Sequence, residues 1–122
     1  MFIGFLPSKK NARRDKLTSL MNVTWTLVLY EAPHRIEETL ADVQEIFGDR
    51  ETCVAREMTK LHEEFLFGRL SEVRPKVNAI GEFVVCVAGA TEVRESAPLT
   101  REDVLKKLGM TRNQLYDLFF KK

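Results

Sequence analysis

Apolar and polar positions follow two different periods along this chain, and each change of period marks a new element. Met1 to Leu6 is a short apolar run closed by Pro7, which predicts a strand. From Ser8 to Met21 the period becomes helical, with Ser8 placed to cap and Leu17, Leu20 and Met21 forming one apolar stripe. The opposite face carries Lys9, Lys10, Arg13, Arg14 and Lys16. Trp25 to Tyr30 is rich in β-forming residues and predicts a buried strand. Pro33 then opens a helix at a position where its missing amide is harmless. Ile36, Leu40, Val43 and Phe47 line one side of that helix, and Gly48 ends it. Three further strands are expected, at Glu51–Glu57, Phe65–Leu70 and Phe83–Ala88, with a helical turn or two over Ser71–Asn78. Strands interleaved with helices predict an α/β layer structure built on a mixed five-stranded sheet.

A polar stretch follows, and then two short helices, Thr100–Leu108 and Thr111–Phe120, joined by Gly109-Met110. Thr100 with Asp103, and Thr111 with Gln114, have capping-box spacing. Val104, Leu105, Leu108, Met110, Leu115, Leu118 and Phe119 would form their shared core. The outline is that of a helix-turn-helix, expected as a satellite unit outside the sheet. It could read nucleic acid or pack on its own domain. Leu105, bulky at a helix crossing where a small residue is usual, tilts the balance toward packing or non-specific contact. The chain therefore divides into an α/β domain over 1–89, a linker over 90–98 and a tail over 99–122.

Composition narrows the field. With 122 residues, 44% hydrophobic and 30% charged, the chain suits one soluble globular domain and excludes a disordered one. A net charge of +1 means that any nucleic-acid binding must come from local clusters of charge. No apolar run approaches the ~20 residues of a membrane span. Cys53 and Cys86 each sit inside an apolar run and are expected to be reduced thiols on neighbouring buried strands. Without a signal peptide, the chain reads as cytoplasmic. Its abrupt apolar start suits either a complete domain or a fragment.

Candidate chemistry concentrates at two places. His34 and His62 lack a partner at metal-ligand spacing, so no metal site is expected. Phosphate loops rich in glycine are absent as well. Tyr30-Glu31-Ala32-Pro33-His34-Arg35, however, puts Tyr, Glu, His and Arg where a buried strand hands over to a helix. Ala55-Arg56-Glu57-Met58-Thr59-Lys60 is a second strand end that exposes charge. In α/β sheets ligands gather at the carboxyl ends of strands, so two such ends suggest one shared cleft. Solvated, salt-bridged loops are the plainer alternative. The basic face of the first helix likewise suits either solvent or phosphate contact.

These segments carry a resemblance. Gly4-Phe5-Leu6-Pro7 with Lys10 and Arg13-Arg14-Asp15, the Tyr30–Arg35 segment, the Ala55–Lys60 segment with Glu64 and Gly68, and Gly81-Glu82 occur in this order. The series resembles the ribosomal RNA small subunit methyltransferase I family, within the tetrapyrrole methylase superfamily. The likeness covers about residues 2–89, and the tail is similar to a helical extension found in some members. It implies a carboxy-terminal domain of a two-domain, homodimeric enzyme that uses S-adenosylmethionine to methylate the 2′-hydroxyl of a cytidine in small-subunit ribosomal RNA. The amino-terminal domain, with its Pro-x-Gly-Asn-type loop, would complete the cofactor site, and this chain alone would be inactive. Ala32 and Met58 stand where Ser and Leu are commoner in the family. The resemblance implies that Tyr30, Glu31, Ala32, Arg56 and Glu57 line the cofactor cleft. It further implies that Lys10, Arg13, Arg14, His34, Arg35 and Lys60 meet RNA, and that Glu57 or Lys60 assists catalysis. Two other readings are a non-catalytic RNA-binding or dimerisation module and a corrin or porphyrin methylase domain.

Overall fold

The computed structural model describes residues 1–59, 62–90 and 101–120. Its elements in chain order are β1 (Phe2–Phe5), α1 (Lys10–Leu20), β2 (Leu27–Glu31), α2 (Ile36–Phe47), β3 (Glu51–Thr59), β4 (His62–Arg69), α3 (Leu70–Val73), β5 (Glu82–Val87), α4 (Arg101–Leu108) and α5 (Arg112–Phe120). A 3-10 turn over Arg74–Lys76 extends α3. The five strands form one mixed sheet in the order β1-β2-β5-β3-β4, with β1 parallel to β2 and every other pair antiparallel. The predicted α/β class and mixed five-stranded sheet are thus observed. No helix among the described residues is long and apolar enough to cross a membrane.

β5 occupies the middle of the sheet, and its alternation sorts the two cores. Phe83, Val85 and Val87 join Leu27, Leu29 and Val54 under α1, α2 and α3. Val84 and Cys86 join Cys53 and Ala55 on the other side, where Val104 and Leu108 of α4 and Leu115 of α5 cover them. The two-helix tail, expected as a satellite, is therefore the second layer over the sheet. Arg101 lies over the Phe67 ring at 5.0 Å and Arg112 over Phe65 at 5.2 Å, which extends that contact to the edge strand β4. The capping box predicted at Thr111 is present, with Thr111 N–H donating to Gln114 Oε1 (2.6 Å) and Gln114 N–H to Thr111 Oγ1 (3.1 Å). The one predicted at Thr100 and the linker beyond residue 90 lie outside the described residues.

Several boundaries differ from the sequence expectation for physical reasons. Trp25 is 67% exposed and precedes β2, which begins only at Leu27. Its approach is fixed by Gly89, where a side-chain Cβ would stand 2.1 Å from the Thr24 carbonyl oxygen, and by Ala90 N–H donating to Val23 O at 2.8 Å. Pro33 does not open α2. It lies in a turn, and the helix starts at Ile36. The stripe of α1 is Arg13, Leu17 and Leu20, with Met21 exposed just past the helix end. Arg50, unremarked in the sequence, ties three elements at one corner by donating to the carbonyls of Met21 (2.7 Å), Phe47 (3.2 Å) and Ala88 (3.2 Å).

Candidate functional site

β2 and β3 both run antiparallel to β5, so they run parallel to each other and end at the same edge of the sheet. The two segments singled out in the sequence therefore share an edge. Glu31 pairs with Phe83 of β5, and Phe83 pairs in turn with Arg56 of β3. Glu31 and Arg56 thus lie in one row about 10 Å apart, two strand spacings of roughly 4.8 Å. One residue further along β3, Glu57 pairs with Glu82 on one side and Glu63 on the other. Three carboxylates in adjacent register repel one another, an arrangement poorly suited to holding a sheet together.

A cleft of about 470 Å³ opens at this edge, lined by Phe5, Tyr30, Glu31, Ala32, Pro33, Glu82 and Phe83. Alternation along β2 sends its last two side chains to opposite faces. Tyr30 turns toward the tail: its hydroxyl donates to the Leu118 carbonyl at 3.4 Å, and its ring meets Phe2 and Phe5 edge-on at 5.2 and 5.7 Å. Phe2 and Phe5 are themselves 61% and 63% exposed, so the end of β1 forms an aromatic rim. Glu31 turns the other way and is buried. Its Oε1 accepts from the Ala32 amide (2.9 Å) and from Arg35 Nε (3.2 Å), and its Oε2 accepts from the Thr39 hydroxyl (2.7 Å). These bonds account for the turn at Pro33 and for the late start of α2, whose N-cap residue makes no side-chain cap of its own.

The remaining sequence candidates separate. Arg56 is largely buried, with Nη2 reaching Glu64 Oε2 at 3.4 Å and with Nε and Nη1 lacking an acceptor among the described residues. His34 is exposed and Arg35 half-buried beside it. Lys60 lies outside the described residues. Lys10 is exposed at the start of α1.

Arg13 corrects the expectation of an exposed basic face. It is 1% exposed, with Nε on Asp42 Oδ2 (2.8 Å) and Nη2 on Glu38 Oε1 (2.8 Å). Burial works to lower its pKa, but the hydrogen bonds to Asp42 and Glu38 outweigh that and raise it. Arg14 shares Asp42 through Oδ1 (2.8 Å) and also meets Glu45 (3.0 Å), which leaves it raised as well, by the hydrogen bonds to Glu45 and then Asp42. The pair clamps α1 to α2. Position i, i+4, i+7 with Leu17 and Leu20 was the available signal, because Arg13 occupies the stripe itself.

Thr39 is the polar residue of this edge that sequence reasoning passed over. It stands on the buried side of α2 between Ile36 and Leu40, where a hydroxyl needs a partner.

No protein-family model matches the chain. Curated relatives do. The chain is 41% identical to the ribosomal RNA small subunit methyltransferase I of Micromonospora olivasterospora, over 95% of the chain and 44% of that protein. It is 46% identical to the protein of that name from Xylella fastidiosa, strain 9a5c, over 81% of the chain and 38% of the relative. With the Bacillus subtilis protein of that name it shares 36% identity over 97% of the chain and 50% of the relative. The chain thus spans half or less of the length of these relatives.

Proposed function

That the chain belongs to the ribosomal RNA small subunit methyltransferase I family is the premise from which we propose its role: the carboxy-terminal half of a cytoplasmic, homodimeric, S-adenosylmethionine-dependent ribosomal RNA methyltransferase. The observation that carries this reading is the shared edge. Two chemically loaded strand ends lie along it, and the cleft that opens there, lined from β1, β2 and β5, offers exposed rings and the Glu82 carboxylate, which suit a nucleoside that bears a positive charge. The cofactor, when bound, supplies an electrophilic methyl group. The chain's own contribution is alignment and exclusion of water. Phe5 and Tyr30 offer ring surfaces, Ala32 and Pro33 a backbone wall, and Glu82 an acceptor for hydroxyl or amino groups.

The acceptor in this reading is a cytidine 2′-hydroxyl. A ribose hydroxyl is a weak nucleophile while protonated, so a base at the edge assists. Glu57, between Glu82 and Glu63, is the candidate base, and Lys60 two residues past the Met58 position of the family motif is the candidate cation. Lys10 and His34 stand outward and suit phosphate contact, with the half-buried Arg35 next to His34.

The test is transfer of labelled methyl groups from S-adenosylmethionine to small-subunit particles by the full-length protein. Labelled 2′-O-methylcytidine in the digested RNA is the expected product, and Glu57→Gln or Lys60→Met should slow its formation at least tenfold. Labelling elsewhere, or wild-type rates in both variants, would overturn the corresponding assignment. The exposed Phe2 and Phe5 favour a second role beside this one, as a contact between subunits or domains.

A further inference from the structure

A carboxylate that is buried and already holds three donors has little left to offer a ligand. Glu31 is such a group: it is 4% exposed, Thr39 is fully buried against it, and both oxygens are engaged by Ala32, Arg35 and Thr39. Its effect must pass through what it holds. One of these is the Ala32 amide, next to the cleft wall. Another is the guanidinium of Arg35, turned inward through Nε, while the side chain stays 27% exposed. Its two terminal amino groups hydrogen-bond to nothing among the described residues. A guanidinium anchored through Nε presents those amino groups as a fixed fork, which matches two oxygens of one oxyanion.

We propose that Glu31 and Thr39 are positioning residues that aim the Arg35 fork at an oxyanion, and that Glu31 itself touches neither substrate nor cofactor. The oxyanion is a phosphodiester of the RNA or the carboxylate of the cofactor. This inference rests on the methyltransferase reading above. The fork supplies specificity for the anion, and the buried carboxylate supplies its direction. A lysine at position 35 keeps the charge but loses the fork. The Thr39 hydroxyl completes the geometry from the far side, because it fixes the oxygen that Arg35 does not use.

Steady-state kinetics of the full-length protein on small-subunit particles separate the possibilities, with KM measured for RNA and for S-adenosylmethionine in turn. Arg35→Ala should raise one of these about tenfold and leave the other within about twofold, the scale of one lost charged contact. The KM that moves identifies the oxyanion. If it is the RNA, the slope of log affinity on log salt should also fall by about one. Glu31→Gln and Thr39→Val should raise the same KM about three- to tenfold with kcat little changed, and Thr39→Ser should restore it. On an Arg35→Ala background Glu31→Gln should add nothing further. Thermal melts confirm that each variant is folded, and Arg35→Lys tests the fork without removing a buried group. A Glu31→Gln effect that persists in full without Arg35, or one confined to kcat, would overturn the positioning role. An active wild type indifferent to Arg35→Ala would sink this inference alone, whereas a wild type without methyl transfer would sink it together with the reading beneath it.

Discussion

The two faces of the sheet are closed in different ways. Under α1, α2 and α3 the core is mainly aliphatic, with Leu17, Leu27, Leu29, Ile36, Leu40 and Val43 at or near zero exposure beside Phe47 and Phe83, and its rim is tied by the buried Arg13–Asp42 pair. Under α4 and α5 the fully buried side chains of the sheet are small, Cys53, Ala55, Val84 and Cys86, with Tyr30, Phe65 and Phe67 at the margin, and the covering helices supply Leu108 and Leu115. One face is built by neighbours in sequence. The other depends on a segment that arrives after a polar stretch of chain. A fold assembled this way has one layer that local patterning specifies and another that long-range docking specifies.

Removing the tail should therefore have the largest effect. A form ending at Ala90 loses the whole second layer, so its two thiols should react with a thiol reagent in native buffer, whereas those of the full chain stay protected. Equal protection in both forms would mean that the tail is not the cover. Next comes the clamp of the first face. Asp42→Ala leaves the buried Arg13 with only the exposed Glu38 as charge partner, and should cost about 3 kcal/mol in denaturant unfolding. Arg14→Ala, which removes a solvent-screened partner of the same acid, should cost much less than Asp42→Ala in the same measurement. On the second face Leu115→Ala should cost about 2–4 kcal/mol, because Leu115 is fully buried. A value near zero would show that the tail packs more loosely than its counterpart layer.

A separate effect is a dependence on pH carried by the second face. Burial pushes the Cys53 thiol up from its ordinary value, and the neighbouring Cys86 adds to that. Burial pushes Cys86 up to about 12 from an ordinary 9.0. A group whose folded pKa is raised holds its proton in the folded state while the unfolded chain gives it up. Stability is then complete below pH 9.0 and falls as pH rises toward 12, by about 1.4 kcal/mol per pH unit for each thiol. Cys86→Ala should remove one thiol's share of that slope, read from unfolding curves between those limits.

The first face was legible in the sequence because its periodicity is strong: Ile36, Leu40, Val43 and Phe47 announce α2, and Leu17 and Leu20 announce the inner side of α1. Arg13 was misplaced because charge normally marks solvent, although its place in the Leu17 and Leu20 stripe and the matching acids on α2 point the other way. The second face was hidden for a different reason. Cys53, Ala55, Val84 and Cys86 show that strands are buried on both sides, but small residues do not say what buries them. The family segments of the candidate site were legible as strand ends, and the shared edge follows once β5 is known to lie between β2 and β3. What no pattern could supply was direction. Tyr30 and Glu31 are adjacent, yet one faces Leu118 and the other Thr39.

The central place of β5 bears on how the chain acquires its shape. β2 and β3 touch β5 rather than each other, so the sheet remains two separate pieces until residues near Val87 have left the ribosome. Most of the domain must then be held in waiting, with apolar edges open, while its final strand is synthesised. Closure joins residues as far apart in sequence as Leu27 and Val87, the kind of distant pairing that slows folding. Assembly of this domain is thus timed by the arrival of its last strand.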